Sequence, residues 1–267
     1  DVPVGGGLSS SAAIEVATAT LIEAMTGSRL DLLRKALLCQ KAENEFAGVP
    51  CGIMDQCASV MGQDGALLLL DCRSRTVRMT PLADPDAVAL IVNSNVRHDL
   101  GDGGYAVRRR QCEEAARSLG VAALRDVNVD HLEAERDRLG DVHYRRASHV
   151  VTEIARTVQA AEAIGRGDWP TVGRLMHASH VSLRDCFQVS CEELDLLVEL
   201  TTACDGVIGS RMTGGGFGGC TISLVRRDAL DGVIHRVEQG YRAKTGKAAT
   251  VFVTRPVDGA HVIRAPG

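Results

Sequence analysis

The sequence predicts an α+β fold in which helices and strands form two layers. Two patterns in the 267-residue chain support this prediction. Segments whose apolar residues recur three and four positions apart, as in helices, alternate with short apolar runs of strand length. The chain also returns to strand-like segments near its end, which is typical of mixed folds. This length is enough for one large core or for two cores of ordinary size.

The first predicted elements are two helices followed by a break. A helix is predicted over residues 9–25, because its apolar residues share one face and Gly27 follows them. A second helix is predicted over residues 30–46. Glycine and proline residues between positions 48 and 52 then interrupt the chain just before the segment 53–56.

The rest of the chain is predicted to divide into alternating strands and helices. Residues 81–85, which begin and end with proline, form the predicted border between two domains, 1–85 and 86–267. The remaining predicted strands cover residues 66–70, 88–93, 221–225 and 250–253. The remaining predicted helices cover residues 105–119, 130–139, 144–164, 169–185, 192–204 and 229–241.

Composition and charge argue against several functions. The formal net charge of −4 and the 3% of aromatic residues predict no basic or base-stacking surface for nucleic acid. No apolar run reaches the length of a membrane span, so we expect no membrane partner either. The nine cysteines are scattered without a C-x-x-C pair, which favours reduced thiols in a cytoplasmic protein over disulfides or a zinc site.

The chain begins at Asp1 and reaches a glycine-rich loop almost at once. A phosphate-binding loop normally follows a strand, and no strand-like segment precedes this one in the sequence. We therefore expect the chain to be truncated at its N-terminus.

That loop, residues 3–11, reads Pro-Val-Gly-Gly-Gly-Leu-Ser-Ser-Ser and leads directly into the first predicted helix. Glycines let backbone N–H groups approach a ligand closely, and a helix N-terminus favours an anion. The three serines supply hydroxyls for a cap, a phosphate or a metal ion. The loop lacks the lysine of a Walker A motif. The alternative is a serine-capped helix that follows a flexible turn.

Asp55 follows the glycine- and proline-rich break and has apolar neighbours. A partly desolvated carboxylate in this place is suited to accept a proton from a hydroxyl group whose oxygen attacks phosphorus. The alternative is that Asp55 caps a short helix.

Two glycine motifs carry a resemblance to a known superfamily. The run Pro-x-Gly-Gly-Gly-Leu-Ser-Ser-Ser-Ala-Ala at residues 3–13 resembles the phosphate-binding motif of the GHMP kinases. The cluster Met-Thr-Gly-Gly-Gly-Phe-Gly-Gly-Cys at residues 212–220 resembles their later glycine motif, with a tight turn before a strand as the alternative. Gly-Ile-Met-Asp-Gln at 52–56 and the stretches 93–98 and 105–113 resemble the galactokinase family. The resemblance covers nearly the whole chain.

The resemblance implies a two-domain, GHMP-kinase-like fold. Residues 1–85 would be the remainder of an ATP- and phosphate-binding domain of the ribosomal S5 domain 2 type, incomplete here. Residues 86–267 would form a ferredoxin-like C-terminal kinase domain. It further implies Mg²⁺ held by Ser11 and Glu43, a catalytic Asp55, and a sugar in contact with Gly52, Asp55 and Tyr105. The residues implied to bind ATP are Gly5, Gly6, Gly7, Leu8, Ser9, Ser10, Ser11, Gly215 and Gly216.

Three other features are interpreted as structural. The arginines at 108–110 are expected on a solvated or salt-bridged face, because two glutamates follow them at 113 and 114. His177 and His180 share a helix face, but no nearby acid or cysteine pattern completes a metal site. Trp169 precedes a proline at a predicted helix start and is expected to pack.

The function implied by the resemblance is ATP-dependent phosphorylation of galactose at its anomeric hydroxyl, giving galactose 1-phosphate in Leloir galactose metabolism. The alternatives are a kinase for N-acetylgalactosamine or arabinose, or a transcriptional sensor that binds galactose and ATP without catalysis. Residues 11–13 and Asp55 are intact, which favours a catalyst over a sensor. We expect a monomer or weak homodimer, and poor activity from the truncated chain alone, because the family's sugar-recognition signature precedes residue 1.

Overall fold

The computed structural model describes residues 2, 8–49, 51–82, 84–97 and 104–263. The chain forms two compact units, one that extends to Pro85 and resumes at Arg255, and one that covers Asp86–Thr254. The sequence also divided the chain after residue 85, but it grouped the final segment with the second domain. In the structure this segment joins the first unit, where the Gly259 N–H donates to the Gly62 carbonyl at 2.9 Å.

Within its described residues, the first unit contains three α-helices and a two-stranded antiparallel sheet. A glycine in the left-handed region, Gly27 with φ 69°, ends the first helix. Asp31 begins the second helix by accepting the N–H of Arg34 at 3.1 Å. The elements are α1 (Ser10–Thr26), α2 (Leu32–Ala42), α3 (Met54–Met61), β1 (Ala66–Asp71) and β2 (Thr76–Pro81).

The second predicted helix begins as an α-helix and ends as a π-helical turn. After α2 the chain makes a π-helical turn over Glu43–Ala47, and Gly48 ends it at φ 71°. The predicted extent of this helix is therefore confirmed. The wider turn matters because such turns occur often at functional sites.

The second unit is built on a four-stranded antiparallel sheet with strand order β4-β5-β3-β6. Its strands are β3 (Ala87–Arg97), β4 (Val207–Thr213), β5 (Gly218–Arg226) and β6 (Thr250–Thr254). Its helices are α4 (Gly104–Ser118), α5 (Val129–Ala134), α6 (Arg136–Gly165), α7 (Trp169–Ser182), α8 (Glu192–Thr202) and α9 (Leu230–Thr245). A second π-helical turn, Leu183–Phe187, follows α7.

The core of the second unit lies between the sheet and helices α8 and α9. Alternate residues of β3, including Leu90, cluster with Leu197 of α8 and Tyr241 of α9. The Tyr241 hydroxyl donates to the Ser94 carbonyl at 2.9 Å, and burial raises the pKa of this phenol to about 12. The predicted α+β layering is therefore present in this unit.

The helices of the second unit follow the sequence pattern closely. The predicted gap between helices 130–139 and 144–164 corresponds to a kink inside α6, where Gly140 has φ 68°. Asp168 caps α7 by accepting the N–H of Thr171 at 3.2 Å. Among the described residues, no helix combines the length and the apolar character needed to cross a bilayer.

Helix α7 packs against β4 so closely that only glycine fits at the crossing. A Cβ built on Gly173 would lie 2.1 Å from the Ile208 carbonyl oxygen, and one on Gly209 would lie 2.9 Å from the Gly173 Cα. Gly232 of α9 offers a comparison, because it is exposed and a Cβ there meets nothing within 4 Å.

We predict opposite effects of the same substitution at these two helical glycines. Gly173→Ala should lower the free energy of unfolding by about 1–3 kcal/mol, because the methyl group overpacks a backbone contact. Gly232→Ala should raise it by roughly 0.5–1 kcal/mol, because alanine loses less backbone entropy in a helix. Urea denaturation followed by circular dichroism measures both values. Equal effects would contradict the close packing of α7 on β4.

Candidate active site

The N-terminus of α1 is not capped by the side chain of its N-cap serine. Ser9 occupies the N-cap position in the left-handed region, with φ 54° and ψ 57°, and its side chain makes no capping hydrogen bond. This conformation is uncommon for a residue other than glycine. The first-turn N–H groups of α1 therefore lack a side-chain cap at Ser9, and a helix N-terminus in this state suits an anion. Gly5, Gly6 and Gly7 lie outside the described residues.

Ser11 and Glu43, predicted from the resemblance as a pair, are brought together by helices α1 and α2. The Ser11 hydroxyl donates to Glu43 Oε1 at 2.7 Å. Ser11 is exposed, whereas Glu43 is only 6% exposed and stands where α2 gives way to the π-helical turn. The exposed Ser11 hydroxyl oxygen and the Glu43 Oε1 that it contacts thus lie side by side.

The second oxygen of Glu43 is held by residues from the segment that leads into α3. Gln56 Nε2 donates to Glu43 Oε2 at 2.6 Å, and the Cys51 thiol donates to the same oxygen at 3.3 Å. Gln56 is fully buried, and its Oε1 has no hydrogen-bond partner. Burial, followed by the hydrogen bond to Glu43, raises the pKa of the Cys51 thiol to about 11, which keeps this donor protonated.

Glu15 is a second carboxylate in this cluster that the sequence did not single out. It lies one helical turn after Ser11 on α1, and Gln56 Nε2 also approaches its Oε2 at 3.4 Å. Burial raises the pKa of Glu15, the Gln56 hydrogen bond opposes the rise, and the charge of Glu43 adds to it. The four-residue spacing from Ser11 was the available signal, because it places both residues on one helix face.

Asp55 is exposed in the first turn of α3, next to the buried Gln56. The N-cap of α3 is Ile53, which makes no side-chain capping bond, so the structure does not support the capping alternative for Asp55. Asp55 forms no hydrogen bond or ion pair with the described residues. Nearby, a Cβ built on Gly52 would meet nothing within 4 Å. The carboxylate of Asp55 is thus available to a ligand while its neighbour anchors the helix.

The second glycine motif forms a tight turn between β4 and β5. Its backbone takes positive φ at Gly214, Gly216, Phe217, Gly218 and Gly219. A Cβ on Gly216 would lie 2.2 Å from the Val189 carbonyl oxygen, so position 216 demands glycine for space as well as conformation. At Gly215 a Cβ would meet nothing within 4 Å, and this part of the turn is open.

Tyr105 lies in the first turn of α4 and is 54% exposed. It belongs to the second unit, as does the glycine turn. Two of the arginines that follow it in α4 make different contacts. Arg109 pairs with Glu113 at 3.0 Å on an exposed face, as expected, whereas Arg108 turns toward the main chain after α7.

The structure also describes the environment of His180 and of the cysteines. His180 is buried, and its Nε2 lies 3.3 Å from Asp195 Oδ1. The nine cysteines, all within the described residues, form no disulfide with one another. Among the described residues, no group of three or more histidine, cysteine, aspartate or glutamate side chains is arranged to hold a metal ion.

Comparisons with known proteins identify the class to which this fold and site belong. The model of the GHMP kinases N terminal domain matches residues 1–63, and that of the GHMP kinases C terminal domain matches residues 160–243. A mevalonate kinase from L. major shares the fold, with a TM-score of 0.60 at 21% identity over 93% of this chain and 66% of that one. The predicted GHMP-kinase-like α+β fold is confirmed.

Closer relatives narrow the class. Galactokinase from Homo sapiens is 52% identical over 98% of this chain and 66% of its own length, and galactokinase from Haemophilus influenzae strain PittEE is 45% identical over 98% and 69%. Lactococcus lactis galactokinase in complex with galactose has a TM-score of 0.92 at 33% identity, over 97% of this chain and 68% of that one. The chain belongs to the galactokinase family, and it spans about two thirds of the length of these relatives.

The glycine turn yields a matched pair of predictions. Gly216→Ala should lower the free energy of unfolding by about 1–3 kcal/mol, because alanine at positive φ is strained and its methyl group meets the Val189 carbonyl. Gly215→Ala should change it by no more than about 0.5 kcal/mol, since the position is open. Chemical denaturation of both variants checks this. A Gly216→Ala protein as stable as the Gly215→Ala protein would contradict the described turn.

Proposed function

We propose that the protein transfers the γ-phosphoryl group of ATP to the anomeric hydroxyl of galactose, giving galactose 1-phosphate in the Leloir metabolism of this sugar. Membership of the galactokinase family supports the proposal, as does the similarity to a galactokinase complexed with galactose. The observation that carries it is local: a buried, oriented Glu43 bonded to Ser11 lies beside the helix that presents Asp55.

The nucleotide would be bound by the two glycine motifs. The uncapped start of α1 offers backbone N–H groups and the positive end of a helix dipole to phosphate oxygens. The open position Gly215 lets main chain approach a ligand in the second motif. The residues proposed to bind ATP are Gly5, Gly6, Gly7, Leu8, Ser9, Ser10, Ser11, Gly215 and Gly216.

The pair of Ser11 and Glu43 fits a Mg²⁺ ion in its chemistry. Both contribute oxygen atoms, which Mg²⁺ prefers, and it commonly uses only one or two carboxylates with substrate phosphates and water. Gln56 fixes the Glu43 carboxylate through its other oxygen, so Oε1 keeps its direction toward Ser11. When bound there, Mg²⁺ would neutralise charge on the transferred phosphate.

Asp55 is proposed to act on the sugar. Its exposed carboxylate would accept the proton of the attacking anomeric hydroxyl, and the anchored Gln56 would keep the first turn of α3 in place during transfer. Gly52 and Tyr105 would contact the sugar, since one offers main chain without a Cβ and the other a phenol with a flat apolar face.

Removal of the Asp55 charge tests the catalytic role. In the whole protein, Asp55→Asn should lower kcat by about 100-fold or more, because a general base contributes roughly that factor, while ATP affinity stays within twofold. ADP release in the presence of galactose and a separate nucleotide-binding titration measure the two quantities. Asp64→Asn, a change at an exposed acid in the turn before β1, is the control and should leave both unchanged.

The same assay tests the substrate. Galactose should release ADP faster than N-acetylgalactosamine or arabinose at equal concentration. ADP release with none of the three sugars, despite ATP binding, would favour a sensor and overturn the proposal. Unchanged turnover by Asp55→Asn would remove Asp55 from its role.

A second variant tests the metal pair. Glu43→Gln should raise the Mg²⁺ concentration needed for half-maximal rate by about tenfold or more, because cation affinity depends on the number of charged ligands. Glu45→Gln is the control, since Glu45 is an exposed acid of the same π-helical turn. The Mg²⁺ dependence of ADP release measures both. An identical dependence for Glu43→Gln and Glu45→Gln would refute Glu43 as a ligand.

A further inference from the structure

Arg108 joins two parts of the second unit that the sequence separates by many residues. From α4 its Nε donates to the Phe187 carbonyl at 2.7 Å, and its Nη2 donates to the Gln188 carbonyl at 2.8 Å. Its guanidinium carbon also lies 5.7 Å from the centroid of the Phe217 ring, in the glycine turn. A guanidinium is suited to this task, because it is planar and donates several bonds in a fixed fork.

The carbonyls that Arg108 holds come at the end of the second π-helical turn. Gln188 has φ 55°, an uncommon conformation for a side-chain-bearing residue, so the surrounding contacts must maintain it. Arg146, which is 3% exposed, donates from Nη2 to Gln188 Oε1 at 2.8 Å and from Nε to Gln111 Oε1 at 3.0 Å. Arg108 thus holds the main chain at 187–188, and Arg146 holds the side chain of Gln188.

Val189, the residue after Gln188, contacts the glycine turn directly. The Phe217 N–H donates to the Val189 carbonyl at 2.6 Å, and the same carbonyl oxygen leaves no space for a Cβ on Gly216. The Phe217 ring in turn lies against the start of α4, where a Cβ on Gly104 would be 3.0 Å from it. The start of α4, the segment 187–189 and the glycine turn therefore form one continuous packed arrangement.

This packed arrangement contains two sets of residues to which the proposed function gives a role. Tyr105 stands in the first turn of α4, one turn before Arg108, and Gly215 and Gly216 stand in the glycine turn. We propose that Arg108 is a positioning residue for phosphoryl transfer, which aligns the sugar-contacting start of α4 with the phosphate-binding glycine turn. The inference rests on the proposed function. Displacement of reacting groups by about 1 Å costs roughly 100-fold in rate, so alignment is a sufficient role.

The test compares arginines that are adjacent in sequence but differ in their contacts. In the whole protein, Arg108→Lys keeps the charge but loses the planar fork, and Arg108→Met loses both. We expect each to lower kcat at least tenfold while the KM values for ATP and galactose stay within threefold. Arg109→Met is the control, because Arg109 pairs with Glu113 on an exposed face in the part of the chain that the structure describes, and it should stay within twofold of the unmodified protein.

The ratio of effects on kcat and KM separates positioning from a merely structural role. All rates are measured at a temperature where circular dichroism shows the variant folded, so loss of stability alone leaves kcat per folded molecule unchanged. If Arg108→Met does not fold, the test rests on Arg108→Lys and Phe217→Leu, which are judged by the same changes in kcat and KM. A folded Arg108→Lys protein with kcat within twofold of the unmodified protein overturns the inference, and so does a rise in KM at unchanged kcat. Absence of galactose-dependent ADP release by the unmodified protein overturns the proposed function itself.

Discussion

The first unit depends on one buried carboxylate and the partners that make its burial tolerable. An ionised group inside a protein is costly unless hydrogen bonds replace its water, and Glu43 is nearly inaccessible. Its oxygens are satisfied by Ser11 from α1 and by Gln56 from α3, while Glu43 itself ends α2. Three helices are therefore tied at a single point. Because Asp55 adjoins Gln56, the bond that anchors the carboxylate also sets the position of the exposed acid.

The sequence predicted the helices well and parts of the sheets poorly, for physical reasons that particular residues make clear. Helix α1 is rich in apolar residues and ends at a glycine, so local pattern alone specifies it. Strand β4 was missed because it contains Gly209, Ser210 and Arg211, which do not form an apolar run. Their partners come from elsewhere: α7 packs on Gly209, and Arg211 pairs with Glu153 at 3.2 Å. The half-exposed β2 was missed, and short α3 was raised only as the alternative for Asp55, because neither carries a long periodic pattern.

The candidate site shows the same division between local and distant information. Ser11, Glu43 and Asp55 were proposed from their motifs, and the hydrogen bond between the first two is consistent with that prediction. Gln56 and Glu15 were not, because their importance lies in contacts across three helices. Arg108 was expected on a solvated face with its neighbours. Its true environment depends on the segment after α7, about 80 residues away in the chain, and no spacing rule reveals it.

The two π-helical turns explain why a correct helix prediction still misjudges side chains. Each follows an α-helix and closes with the same return of the chain, from Val49 N to Glu43 O at 3.3 Å and from Val189 N to Leu183 O at 3.1 Å. One extra residue in a turn rotates everything after it by about 100° around the axis. A helix extrapolated from the sequence through either turn therefore assigns the wrong face to its last residues. The residues at and after these turns make the contacts that matter in each unit: the Cys51 thiol bonds to Glu43 in one, and Arg108 holds the Phe187 and Gln188 carbonyls in the other.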